Sequence, residues 1–394
     1  MKPAARSPET TPVIVACGRT AIGRAHPQRG VFRHVRGDEL AAAVIKGAVE
    51  ASGVDPATIE DVVFGATQQR GEQGGNVARC AALMAGLPFA AAGTSINRLC
   101  GSSLQALAQA CHAIAAGAEN VQVVGGVEHM QHLPMDAAID IHPQVFARSS
   151  RGMLSMGMTA EHLAAAHGIS RVKQEAFALA SHRKAAAATA ANLFADEIVP
   201  VFGHDEAGGL LAATCDQAIR ADTTLEAMAA IEPAFLPGIG TVTAATSAPL
   251  SDGAAAIVVM SAAEAKRQGL TPLMRVVGTA VVGVPPAVMG TGPIPAVRKL
   301  LDRTGFTLAD IDLVELNEAF AAQAIHCIET LGLDHEKVNV RGGSLAIGHP
   351  LGASGARIVT TLVHAMRQGG ARRGIATMCV GLGQGIAIAC ERVE

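Results

Sequence analysis

The chain contains no Trp and no Tyr, and aromatic residues make up only 3% of its 394 residues. A core without large rings must be filled by small and branched side chains. The 43 Gly, with plentiful Ala, point to closely approaching elements joined by many Gly turns. Charged residues are also few, at 16%, and the net charge is −3, so no basic field favours nucleic acid or a membrane surface. No apolar run approaches the roughly 18 residues that a membrane span requires. The eight Cys include no C-x-x-C pair, and no secretory signal is legible. Reduced thiols in a cytoplasmic protein are therefore expected. Met1 to Thr11 is polar and broken by prolines, and Glu9 with those prolines spoils a transit helix; it reads as a loose tail. The length fits two or three domains with a sizeable core.

What is present is an alternation of strand and helix patterns, which predicts layered α/β units with a mostly parallel sheet. A strand-like run at Val13–Ala16 leads to a helix predicted over Gly37–Ser52, then to Gly53, Ile59 and a buried strand through Val62, Val63 and Phe64. The same order returns 252 residues later, with a helix over Pro295–Thr304, then Gly305, Ile311 and a strand through Val314 and Leu316. At that offset Ser102 falls on Ser354, each in a Gly-rich loop that opens a helix. So long a repeat indicates duplication of an α/β unit rather than a solenoid. The stretch between, about His129 to Ser247, does not fit the repeat. It is rich in Met, His and Ala, with one strong helix predicted over Arg171–Ala190, and reads as an insertion carrying long loops for substrate contacts. A buried strand over Ser251–Met260 resumes the pattern.

Four segments carry candidate chemistry. In Asn97-Arg-Leu-Cys100-Gly-Ser-Ser-Leu104, Cys100 stands before a helix whose buried face is marked by Leu104, Leu107 and Ala108. A thiol at a helix N-terminus can have its pKa lowered and act as a nucleophile; a small buried core Cys is the alternative. The others are Asn317-Glu318-Ala-Phe320, Gly348-His349-Pro-Leu-Gly-Ala-Ser354-Gly and Cys379-Val-Gly381-Leu-Gly-Gln-Gly385. Each lies where a strand-like run stops, the side of an α/β sheet on which ligands bind. The last is not a dinucleotide loop, because no G-x-G-x-x-G follows a strand with an acidic residue about twenty further on.

In order and spacing, NRLCGSSLQAL, SDGAAA, NEAFAAQ, GHPLGASGAR and CVGLGQG resemble the thiolases, acyl-CoA C-acyltransferases of the 3-ketoacyl-CoA and acetoacetyl-CoA type. The likeness runs from Val13 to the C-terminal Glu394. GGVEHM at Gly125–Met130, the second Ser of CGSS and the GLGQG form look most like the 3-ketoacyl-CoA thiolase β subunits of bacterial fatty-acid oxidation complexes. The resemblance implies an α/β fold with a duplicated five-layered αβαβα core and an inserted loop domain. Residues 1–128 and 248–270 would form the N-terminal half, 129–247 the CoA-binding insertion and 271–394 the C-terminal half.

It also implies roles. Cys100 would attack the keto carbon of a 3-ketoacyl-CoA, His349 would take its proton, and Cys379 would be the second acid/base. One oxyanion hole would combine His349 with a water held by Asn317, and the other the backbone N–H groups of Cys100 and Gly381. Glu318 would orient Asn317 or His349, or else serve as a helix-start carboxylate. CoA, a co-substrate rather than a bound cofactor, would meet Met156, Arg220, Phe235, Ser247, Ala248 and Phe320. Two positions depart from the family. Ala248 lacks a Ser hydroxyl that contacts pantetheine, leaving Ser247 to supply it, and Glu232 stands where the family has Arg before Pro-Ala-Phe. His129-x-x-His132 has ligand-like spacing, but the family uses no zinc and no metal is expected. The expected partners are acyl-CoA and CoA, a second copy in a homodimer or tetramer, and a hydratase/dehydrogenase α subunit. Its rivals are a biosynthetic acetoacetyl-CoA thiolase and a non-catalytic acyl-CoA-binding subunit. Cys379 argues against a ketosynthase, which usually lacks that second cysteine.

Overall fold

The computed structural model describes residues 8–135 and 139–393; the expected loose tail lies outside them up to residue 7. The strands, in chain order, are β1 (Pro12–Arg19), β2 (Gly23–Arg24), β3 (Asp61–Gly65), β4 (Ala92–Ile96), β5 (Val121–His129), β6 (Val201–His204), β7 (Leu210–Ala213), β8 (Ser251–Ser261), β9 (Met274–Gly283), β10 (Leu313–Leu316), β11 (Arg373–Val380) and β12 (Gln384–Arg392). All but the β6–β7 hairpin join one sheet of order β10-β11-β12-β9-β1-β8-β5-β3-β4, with β2 on the end of β8. The two halves of this sheet meet only where β1 touches β9, at Val13–Arg275 and Ile14–Met274.

The sheet is mixed, not mostly parallel. Parallel pairing is confined to β5–β3–β4 and β10–β11, where helices make the crossovers. β11 returns into β12 through a turn at Gly381–Gly383, and so short a connection forces antiparallel neighbours.

The helices are α1 (Gly37–Ser52), α2 (Val77–Met84), α3 (Ser102–Ala115), α4 (Pro143–Ala147), α5 (Met156–Ala166), α6 (Arg171–Ala190), α7 (Leu225–Ala229), α8 (Ala262–Arg267), α9 (Pro293–Thr304), α10 (Ala321–Leu331), α11 (Ser344–Ile347) and α12 (Ser354–Gly369). α1 and α6 have the predicted bounds. α9 starts two residues early, because Pro293 has no N–H to leave unpaired in a first turn. α1 and α9 both end on a left-handed glycine, Gly53 at φ 67° and Gly305 at φ 74°, so the repeat in the sequence is a repeat in the backbone.

Strand periodicity sorts the side chains into layers. Val62 and Phe64 point with Val13 and Val15 into a core beneath α1 and α2, while Val63 and Ile14 point the other way. In the second half Ile386 and Ile388 share that inner core, and Ala387 and Ala389 face an outer one under α9 and α10. Between the two half-sheets, Leu104 and Leu107 of α3 pack with Ile358 and Leu362 of α12. The order is thus helix, sheet, helix, sheet, helix, a five-layered αβαβα stack. Strands covered on both faces need continuous apolar runs, which explains why β8 reads Ala254-Ala-Ala-Ile-Val-Val-Met260.

The ends of the two middle helices are tied directly. Ser103 N–H donates to the Gly352 carbonyl at 3.2 Å, and Ala356 N–H donates to Ser103 Oγ at 2.9 Å. Residues 139–247 carry α4 to α7 and the β6–β7 hairpin, whose Val201, Leu211 and Ala213 pack into the core beneath α1. Within them α5 and α6 pack against α10.

Candidate active site

The turns before α3 and α12, the β10–α10 turn and the β11–β12 turn converge on one cleft. Cys100, His349, Cys379, Gly381, Phe320, Met156 and Ala248 all line it, together with Met130, Met135, Met289, Leu250 and Leu351. Cys100 stands on a tight turn. Leu99 is left-handed at φ 47°, its N–H bonded to Asn97 Oδ1 at 2.8 Å, and Ser102 Oγ donates to the Leu99 carbonyl at 2.6 Å. Arg98 braces the turn against the neighbouring loop, donating to Gln105 and to Gln384 at 2.8 Å each.

Cys100 is not a thiolate at rest. Its thiol is pushed up to about 11, mainly by burial and further by the charge of Glu128; hydrogen bonds from the backbone N–H groups of Gly381 and Cys100 act against this. The expected lowering is overturned because α3 begins only at Ser102, with Gly101 as its cap, so the helix end acts on the sulfur more weakly than the loss of water does. Cys379 is buried, and its thiol is pushed up by burial and by Cys100. Burial, with the Arg357 charge second, holds the His349 imidazolium down to about 3, so the ring is neutral around pH 7. His349 Nδ1 lies 2.6 Å from Ser354 Oγ, and Nε2 lies 3.4 Å from Asn317 Nδ2. Asn317 is itself held by Ser344 Oγ, which donates to its Oδ1 at 2.6 Å.

Glu318 is not among these contacts. Its carboxylate accepts from Ser181 Oγ and Asn339 Nδ2, each at 2.7 Å, and from the Leu345 N–H at the start of α11. Orientation of Asn317 and His349 falls instead to Ser344 and Ser354. Neither role was read from the sequence, although Ser354 lies inside the GHPLGASGAR motif. The buried carboxylate whose charge does act on Cys100 is Glu128, which accepts the N–H groups of Thr67, Gln68 and Gly352 and the Gln73 amide.

The residues assigned to CoA divide in two. Met156, Ala248 and Phe320 line the cleft, and Phe235 packs edge-on to Phe320 at 6.0 Å. Ser247 pairs with Phe320 across a short bridge, but its hydroxyl donates to the Thr243 carbonyl at 2.8 Å, leaving only acceptor capacity for a ligand. Arg220 is exposed outside the cleft, on a segment anchored to β2 through Asp216 and Gln217, as Ile22 N–H and Arg24 N–H donate to these two side chains. Glu232 is exposed as well. His129 and His132 stack at 3.7 Å beside Glu72. Their ring nitrogens already bond Phe32 O, the His132 N–H, Glu72 and Arg33 O, so an ion would have to displace these bonds.

Two cysteines and a neutral imidazole in a cleft lined mostly by apolar side chains suit thiol-based acyl transfer, and comparison with known proteins points the same way. Residues 12–263 match the description "Thiolase, N-terminal domain" and residues 270–392 "Thiolase, C-terminal domain". A 3-ketoacyl-CoA thiolase of Aliivibrio fischeri is 52% identical over 384 residues, covering 96% of this chain and 99% of that one. One of Shewanella frigidimarina is 50% identical over 385 residues, covering 97% and 99%. Among solved structures, human mitochondrial 3-ketoacyl-CoA thiolase superposes with a TM-score of 0.90 at 35% identity, covering 98% of this chain and 100% of that one. Bacillus anthracis acetyl-CoA acetyltransferase gives 0.88 at 38%, covering 97% and 99%. With both halves matched and the motif residues gathered in one cleft, this chain belongs to the thiolase family.

Proposed function

We propose that the protein is a 3-ketoacyl-CoA thiolase of fatty-acid β-oxidation, acting in the cytoplasm. The observation that carries the reading is the meeting of Cys100, His349 and Cys379 in one cleft with the Gly381 N–H on the Cys100 sulfur. In the first half-reaction His349 Nε2 takes the Cys100 proton as the sulfur attacks the C3 carbonyl of a 3-ketoacyl-CoA. The oxyanion on that carbon is held by the N–H groups of Cys100 and Gly381. The C2–C3 bond then breaks. Its electron pair becomes the enolate of acetyl-CoA, whose oxygen faces His349 and a water on Asn317, and Cys379 protonates C2. In the second half-reaction Cys379 takes the proton of an incoming CoA thiol. The CoA sulfur attacks the acyl-enzyme, and Cys100 leaves and recovers its proton from His349.

The substrate's pantetheine arm would pass Met156, Ala248 and the Phe235–Phe320 pair. Arg220 would offer charge to its phosphates. Burial lowers the Arg24 guanidinium most, and the charges of Arg220 and Arg29 lower it further against the opposing charge of Glu206; these neighbouring cations support a local positive field there. The thioether-rich wall of Met130, Met135, Met156 and Met289 suits acyl chains of more than one length, since Met adapts to the shape beside it. No permanently bound cofactor enters this scheme. Strand β4 lies open at the sheet edge beside exposed Leu83, Met84 and Phe89, which supports pairing with a second copy in a dimer or tetramer. A hydratase/dehydrogenase α subunit belongs to the same reading. No helix among the described residues is long and apolar enough to cross a membrane.

The test is CoA-dependent cleavage of 3-ketoacyl-CoA thioesters of increasing chain length by wild type and Cys100→Ala. Activity on long chains, lost at least about 10⁴-fold in the variant, is expected. The likeness to an acetyl-CoA acetyltransferase favours one second reading, a biosynthetic enzyme, which activity confined to acetoacetyl-CoA would establish. No cleavage at any length would sink both.

A further inference from the structure

Behind the cleft wall, Arg357 of α12 has no exposed surface. Its Nη2 donates to Ser344 Oγ at 2.5 Å, and a guanidinium has no acceptor atom. Ser344 must therefore turn its own hydrogen elsewhere, and it donates to Asn317 Oδ1 at 2.6 Å. That fixes the amide, with Nδ2 facing His349 Nε2 at 3.4 Å. An amide NH2 only donates, so Nε2 is the nitrogen that keeps a lone pair. The other side of the ring gives the same answer independently. Ser354 Oγ donates to the Pro350 carbonyl at 2.8 Å, so at its contact with His349 it accepts, and Nδ1 carries the hydrogen.

We infer that Arg357 is a positioning residue that heads a one-way chain of hydrogen bonds, through Ser344 and Asn317, that makes Nε2 the basic nitrogen of His349. The inference rests on the thiolase reading for its catalytic meaning, but the tautomer itself does not. A purely structural role accounts poorly for Arg357. Its Nε and Nη1 have no hydrogen-bond partner, and neither has Oε2 of Glu315, which lies 3.8 Å from Nη1. A buried ion pair left so incomplete is weak support for a fold. The one bond the guanidinium makes at full strength is the one that reaches the site.

The groups facing His349 are Cys100 and Cys379 across the cleft, Asn317 and Ser354 beside it, and Arg357 behind it. Glu315, with Glu197, Arg19 and Asp216 farther back, faces Arg357. Arg357 is thus the cation that adds to burial in keeping the ring neutral.

The test uses the full chain. In 15N-histidine spectra of the resting protein, with the His349 signals assigned by their loss in His349→Asn, Nδ1 should appear protonated and Nε2 not. Ser344→Ala removes the relay and with it the hydrogen bond of Arg357, while keeping the cation's charge and every side chain that lines the cleft. With Ser354 still holding the hydrogen on Nδ1, it should release the Asn317 amide, shift the His349 Nε2 signal and lower kcat between about 10- and 100-fold with KM little changed, and Ser344→Thr should restore most of the rate. Arg357→Met combined with Glu315→Gln, which leaves no lone buried carboxylate, should move the acid limb of the pH–rate profile to higher pH. A hydrogen on Nε2 in the wild type overturns the inference. So does a Ser344→Ala protein with unchanged spectrum and kcat, whether or not the Arg357 variant folds. The spectra need no substrate, so a protein that cleaves no 3-ketoacyl-CoA would end the thiolase reading and leave this one to be decided separately.

Discussion

The turn Asn97–Ser102 before α3 and the turn His349–Ser354 before α12 lie 252 residues apart, and both close on a serine hydroxyl that donates to a carbonyl three or four residues back. Asn97 and His349 open them. Asn97 uses both ends of its amide in the scaffold, accepting from the Leu99 N–H and donating to the Thr67 carbonyl. His349 gives its own turn only Nδ1 and keeps Nε2 for the cleft. Three residues on, Cys100 matches Gly352. The Gly352 N–H donates to Glu128, and its carbonyl accepts from Ser103. A Cβ at 352 would come within 2.5 Å of the Val127 carbonyl and 2.8 Å of Ala66 Cα. No side chain can stand there. Duplication supplied two preformed turns aimed at one cleft. On the proposed mechanism, one kept room for the nucleophile, while the other closed that place with backbone and offers its first residue as the base.

The sharpest way to break this asymmetry is His349→Asn, which gives the second turn the residue of the first. Loss of proton transfer should lower kcat by about 10²- to 10⁴-fold, read in the thiolysis assay with little change in the folded far-UV spectrum. Gly352→Cys asks instead whether the second turn could carry a thiol. Overpacking against Val127 and Ala66 should destabilise the protein by about 1–3 kcal/mol in urea unfolding; a fully stable variant would show that the steric account is wrong. A further test concerns pH. His349 takes up a proton near 6.5 when unfolded but only near 3 when folded, so the unfolded state binds more protons between these values. Wild type should therefore lose stability relative to His349→Asn as pH falls from about 6.5 toward 3, by at most about 1.4 kcal/mol per pH unit. Parallel stability curves for the two proteins over that range would refute the neutral ring.

Local signals carried far in this chain. The ends of α1 and α6, the left-handed Gly53 and Gly305 and the paired helix openings at Ser102 and Ser354 are all written within a few residues of where they act. Strand direction was not so accessible. The CVGLGQG segment looks like any Gly-rich loop, yet as a hairpin turn it sets β12 antiparallel to β11. At the site, the motif residues that line the cleft are contiguous with recognisable turns. Ser344 is not, because its work depends on which way a hydrogen points between an arginine and an amide distant in sequence. Of the two expectations for Glu318, direct contact with Asn317 or His349 is not seen, since nothing local indicates that Ser181 and Asn339 will arrive to occupy it, while its bond from the Leu345 N–H is a helix-start contact, made to α11. The raised thiol of Cys100 reflects burial by β11–β12 and the insertion, an environment no helix-start rule contains.

The bonds between Ser103, Gly352 and Ala356 have a consequence for how the molecule comes apart. The half-sheets share only two residue pairs at β1–β9, whereas α3 and α12 fill one apolar layer that both sheets need. Removing either half strips the inner face of the other, and removing the C-terminal half also leaves Glu128 short of a donor. Despite its duplicated plan, the chain therefore has no seam along which heat or denaturant can open it in two steps, and the two copies should unfold together as a single cooperative unit.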